Sequence, residues 1–173
     1  MELITFAEIE RDIDILRDLS QDAYDMMVEQ FIAEQPHLTA YLLEVDENEF
    51  TEDMSDLILG VSVELWYMIK KKKGAVGLVS EESIDVADTD NAEQLAFLED
   101  EDYEGQEESI ARLSEEHPQG DLLQFIYITI CQEEGENDED DDSDEIGEMI
   151  YEPEELSMMF VVIKSCLDTL MLA

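Results

Sequence analysis

Cations are what this chain has least of: eight lysines and arginines stand against 49 aspartates and glutamates in 173 residues, a formal net charge of −41. Direct binding to a nucleic-acid backbone or an anionic membrane is therefore disfavoured, while basic proteins and counter-ions are attracted. Only three prolines and seven glycines are present, so long irregular stretches should be few. No uncharged run, Leu57–Val63 and Leu156–Ile163 included, approaches the roughly 20 residues that a bilayer crossing needs. The start, Met1-Glu2-Leu3-Ile4-Thr5, has neither a basic opening nor an apolar run of signal length. Cys131 and Cys166 both lie among Ile, Leu and Val, the setting of free thiols in a reducing compartment. These absences predict a soluble cytoplasmic protein without a membrane segment.

Catalytic signatures are scarce as well. There is no Gly-x-Ser-x-Gly, and the two histidines of the whole chain supply no base beside either cysteine in sequence. Gly74-Ala75-Val76-Gly77 follows a helical pattern instead of opening one after a strand, so it does not read as a phosphate loop. Glu34-Gln35-Pro36-His37 has the Glu-x-x-His spacing of di-metal helix bundles, but Pro36 disturbs the turn and Glu115-Glu116-His117-Pro118 lacks the spacing. A calcium loop starting at Asp138 would need Gly where Ser143 stands and a bidentate Glu where Met149 stands. The expectation is a non-enzyme with no cofactor and no structured metal site, though weak, nonspecific condensation of divalent cations is expected on so acidic a chain.

What is present is a helical apolar period, with 45% of residues apolar or aromatic. Thr5 and Glu8 have capping-box spacing and open a helix over about residues 6–18. Ser20 caps a second, which should turn Ala23, Met27, Phe31, Met26 and Ile32 toward a core. Pro36 breaks it at Gln35 and starts a short third helix to about Glu44. The fourth, after Thr51, places Met54, Leu57, Ile58, Val61, Leu65 and Met68 on one face, with Leu59, Val63, Trp66 and Ile69 on others. A helix apolar nearly all round belongs at the centre. It ends in Lys70-Lys71-Lys72-Lys73-Gly74, cations at the negative end of the macrodipole followed by the favoured terminating glycine. Ser80 opens a further helix that Thr89-Asp90-Asn91 should weaken or split. Helices over about 106–115 and 121–134 follow, then a last one from Pro153.

The fold class expected is therefore all-α: a compact multi-helix bundle in one domain, built as two similar half-units, 1–79 and 80–173, packed around two very apolar helices. The two segments share an apolar pattern around Pro36 and Pro118, and Leu57-Ile58-Leu59 corresponds to Met158-Met159-Phe160. In this alignment Glu64 and Lys164 fall near matched centres and are expected to pair. The acidic loop 133–148 contains Asp138, Glu139, Asp140, Asp141, Asp142, Asp144 and Glu145, candidates for an acidic interaction surface. Lys70, Lys71, Lys72 and Lys73 are candidates for a basic dock. The functional expectation is a helical interaction protein that binds a basic partner, with mimicry of a nucleic-acid backbone as its sharper form. Hydration in a salt-rich cytoplasm, or a small metal-binding helical protein, are the alternatives. Monomer and homodimer both remain open on sequence.

Overall fold

A computed structural model describes residues 1–131 and 151–173, and the acidic candidates from Asp138 to Glu145 lie outside them. The described residues form eight α-helices in a compact bundle: α1 (Phe6–Arg17), α2 (Gln21–Glu34), α3 (Pro36–Glu49), α4 (Glu52–Lys73), α5 (Glu81–Leu95), α6 (Tyr103–Glu116), α7 (Gly120–Cys131) and α8 (Pro153–Leu172). A 3-10 turn, Ala96–Asp100, links α5 to α6. No strand occurs among the described residues, and no described helix is long and apolar enough to cross a membrane.

Local chemistry sets most of these boundaries. The Glu8 carboxylate accepts from the Thr5 N–H (2.9 Å) and hydroxyl (3.1 Å), closing the start of α1. Ser20, Thr51, Ser80 and Asp102 accept first-turn amides of α2, α4, α5 and α6. Pro36 and Pro153 occupy first-turn positions, where their missing N–H leaves no bond unmade. Gly74 ends α4 with φ +86°, a left-handed conformation natural to glycine. Gly120 serves by its size: a Cβ there would overlap the Ser114 carbonyl oxygen, so α6 and α7 could not turn so tightly.

The core is built on α4 and α8. Ile58, Val61, Val63, Leu65, Trp66, Met68 and Ile69 of α4 are buried, as are Leu156, Met159, Phe160, Ile163, Leu167 and Leu170 of α8. Two edge-to-face pairs flank the centre, Phe31 with Trp66 (5.8 Å between centroids) and Tyr127 with Phe160 (6.2 Å). Three expectations need correction here. Met26 is 70% and Ile32 43% exposed, because α2 meets α4 along the stripe that carries Phe31 and leaves its other apolar side to solvent. The third helix runs on to Glu49, past the expected end at Glu44. Helix α5 is unbroken through Thr89-Asp90-Asn91: the Asn91 side chain is engaged by α8 and does not compete for its own backbone.

One bonding scheme occurs twice. Gln119, at the α6–α7 turn, accepts from the Ile4 N–H (2.8 Å) and donates to the Glu2 carbonyl (3.0 Å), pinning the lead-in to α1. Gln35, at the α2–α3 break, accepts from the Val79 N–H (3.0 Å) and donates to the Gly77 carbonyl (2.8 Å), pinning the lead-in to α5. Two residues beyond each glutamine, the register repeats: Asp121 accepts from the Phe6 N–H (2.9 Å), and His37 pairs with Glu81 (3.0 Å). Both glutamines are fully buried, as are Ile4 and Val79. Gln119→Ala removes both bonds and should cost about 1–3 kcal/mol, the range for orphaned buried groups. Hydrogen exchange checks it: the Ile4 amide should accelerate while the Val79 amide does not, and Gln35→Ala should reverse the pattern.

Candidate functional site

The four lysines at the end of α4 lie where helix geometry fans them across neighbouring elements. Lys70 donates to both Glu34 oxygens at 2.7 Å and sits 4.5 Å from the Trp66 ring centroid. Lys71 reaches the buried Asp12 at 2.7 Å, and Lys72 reaches Glu8 at 2.8 and 3.1 Å. Lys73 donates to the Met171 carbonyl at 3.3 Å. The lysine tetrad thus binds α1, α2 and the end of α8. Hydrogen bonding to Lys72, with help from the Thr5 amide, draws Glu8 down to about 2. The bond from Lys70 holds Glu34 below the ordinary glutamate range despite burial. An acidic ligand at this end would have to displace these internal carboxylates.

The opposite charge distribution holds over α5, the 3-10 turn and α6. From residue 74 to 131 there are sixteen acidic side chains and one cation, Arg112. Glu81, Glu82, Asp85, Asp90 and Glu93 on α5, Glu99 and Asp100 in the turn, and Glu104, Glu107, Glu108, Glu115 and Glu116 on α6 are all exposed. Acidic residues in the first turns of α5 and α6 favour those helices through the macrodipole. The rest face solvent, and of the whole set Glu81 is the one that meets His37.

Beneath it lies a polar network that joins α5, α8 and the α6–α7 turn. The Lys164 ammonium, 9% exposed as a residue, donates to Asn91 Oδ1 and Asp168 Oδ2, each at 2.7 Å. Asn91 Nδ2 donates to Ser165 Oγ and Asp168 Oδ2, each at 3.1 Å. The Gln119 N–H donates to His117 Nδ1 (3.1 Å), which leaves Nε2 as the donor to Asp168 Oδ1 (3.1 Å). Burial opposes ionisation of Asp168, but the bonds from His117, Lys164 and Asn91 outweigh it and hold its carboxyl below the ordinary value. The expected Glu64–Lys164 pair is therefore not formed: Lys164 faces α5 and Asp168, one turn along its own helix. Each of these side chains is bonded to a neighbour, and the network joins α5, α8 and the α6–α7 turn.

Other chemistry candidates separate in the same way. Glu34 bonds Lys70 while His37 bonds Glu81, so the Glu-x-x-His pair does not converge. Among the described residues no group of three or more His, Cys, Asp or Glu side chains is placed to hold a metal ion. Cys131 and Cys166 are free thiols, pushed by burial up to about 11 and about 12. Both are protonated at neutral pH and poor nucleophiles.

Glu64 differs from the carboxylates of this network. It lies partly buried on the side of α4 that faces a groove of about 610 Å³ between α1, α4 and α7. Phe6, Ile9, Ile13, Phe125 and Ile128 give the groove apolar walls, and Glu10, Asp14 and Arg17 stand along it. Among the described residues Glu64 makes no hydrogen bond and no ion pair within 4 Å; Arg17 acts on it only through space. Loss of hydration raises the Glu64 carboxyl to about 7, against a small opposing effect of Arg17. A lone Glu in the apolar middle of α4 was the one sequence signal for this place. Nothing in the sequence marked Asn91 and Asp168 as partners of Lys164. The chain matches no known family model, no curated protein and no solved structure.

Proposed function

We propose that this chain is a non-catalytic interaction protein whose acidic exterior binds a basic protein. The observation that carries the reading is where the cations are. Arg11, Lys70, Lys71, Lys72 and Lys164 all form ion pairs with the molecule's own carboxylates. The exposed carboxylates of α5 and α6 then have almost no internal partner. Such a surface steers a positively charged partner into encounter and makes the complex sensitive to salt. Carboxylates held on rigid helices also suit the sharper form, occupancy of a site that otherwise receives a nucleic-acid backbone.

The experiment compares two baits in extracts of the source organism, the native chain and a variant with Asp85, Glu93, Glu99, Glu104 and Glu108 replaced by their amides. The native bait should retain a basic protein at low salt and release it near roughly 0.5 M salt, where the screening length is about 4 Å. The variant should retain it at least about tenfold less well. Recovery of the same neutral or acidic proteins by both baits would overturn the reading.

We also propose that residues 1–79 and 80–173 are two versions of one helical unit, packed so that α4 and α8 cover each other. The matched bonding of Gln35 and Gln119 to the opposite lead-in supports this, as does the repeated meeting of residues 37 with 81 and 121 with 6.

A further inference from the structure

We propose that the groove between α1, α4 and α7 receives a lysine side chain of the basic partner, with Glu64 as the counter-charge at its base. The proposal rests on the reading of the protein as a binder of basic proteins and gives that binding an anchor. Three observations converge. Half of the groove lining is apolar, Phe6, Ile9, Ile13, Phe125 and Ile128, and it is partly open, with Phe6 36% and Ile128 42% exposed. It holds a carboxylate, Glu64, that no described residue neutralises by contact, although five other acidic groups among the described residues, Glu8, Asp12, Glu34, Glu81 and Asp168, each hold a cation or histidine. Its rim carries Glu10 and Asp14 against Arg17, so the groove is net anionic.

A lysine matches these features together. Its four methylenes can lie along the apolar walls while the compact ammonium reaches the carboxylate. A buried carboxylate without a partner costs free energy in the unbound protein, and pairing relieves that cost only on binding. This is how an anchor residue at an interface gains its weight over the exposed charges around it. The groups facing Glu64 are Glu10, Asp14 and Arg17 from α1 and Tyr24 from α2, whose hydroxyl is itself raised by burial and by Glu64. The α7 lining, Phe125, Ile128 and Thr129, carries no charge.

The test uses the full chain and n-butylammonium as a stand-in for the lysine side chain, with sodium at equal ionic strength as the control. Carbon-detected NMR of the Glu64 carboxyl follows its titration, and the Phe125 and Ile128 resonances report the groove. In n-butylammonium the Glu64 midpoint should fall by about one unit or more, a tenfold change in proton affinity, and Phe125 and Ile128 should shift. Glu64→Gln should weaken n-butylammonium binding at least about tenfold, and Arg17→Gln should strengthen it. Equal midpoints in the two salts, or shifts confined to α5 and α6, overturn the proposal. Capture of a basic partner that survives Glu64→Gln would sink the anchor and leave the wider reading standing.

Discussion

Lys164→Met should lower the free energy of unfolding by about 3–5 kcal/mol at neutral pH, the range for removing one member of a buried ion pair. Methionine replaces most of the side-chain volume, so packing changes little. What is lost is the charge that Asp168 faces at 2.7 Å and the donor to Asn91 Oδ1 at the same distance. Asp168 would keep only His117 and the Asn91 amide. Adding Asp168→Asn should recover a large part of the loss, because the remaining group no longer needs a counter-charge. Chemical denaturation followed by fluorescence measures both, since Trp66 is the single tryptophan and is buried. The Asp168 carboxyl is held below its ordinary value of 3.8, so its contribution is present above that pH and lost as pH falls through the lower, folded value. The penalty of Lys164→Met should shrink over the same acidic window. A penalty below about 1 kcal/mol at neutral pH would show that the network does not hold α5 to α8.

Glu64→Gln should act in the opposite direction and stabilise the protein by about 3 kcal/mol at pH 8. The folded carboxyl is raised from 4.5 to about 7 by lost hydration, and each unit is worth about 1.4 kcal/mol. Below the unfolded value both states are protonated and the cost vanishes. As pH rises above 4.5 the unfolded chain ionises while the native carboxyl stays protonated, so stability falls until the native group also ionises near 7. Native protein should therefore lose stability between about pH 5 and 8 relative to the glutamine variant, with the two curves meeting near pH 4. Parallel curves across that interval would mean that water or Arg17 hydrates or neutralises Glu64 in the folded state.

Helix positions were legible in the sequence because they depend on neighbours a few residues away. Thr5, Ser20, Thr51 and Ser80 announce helix starts, Pro36 and Pro153 fix first turns, and Gly74 ends α4. The misreadings share a different cause: they required knowing which side of a helix meets another. Met26 and Ile32 are as apolar as Phe31, and only the rotation of α2 against α4 decides which is covered. Lys164 was matched to Glu64 by position along two aligned helices, whereas its rotation about α8 turns it toward Asn91. Asn91 read as a helix breaker because its side chain competes for backbone groups in isolation; α8 removes that competition by supplying better partners. For the candidate site, the excess of negative charge was visible at once. The internal pairing of Lys70, Lys71 and Lys72, which leaves that excess on the outside, was not, since Glu34, Asp12 and Glu8 are 36 to 64 positions away.

The crosswise grip of the two buried glutamines has a mechanical consequence. The segment entering α1 is held by the turn between α6 and α7, and the segment entering α5 by the break between α2 and α3. Neither lead-in can fray without loosening a helix hairpin far along the chain. Each helix start is thus braced by a turn remote in sequence, and α1 or α5 can unwind from its first residue only after that brace gives way.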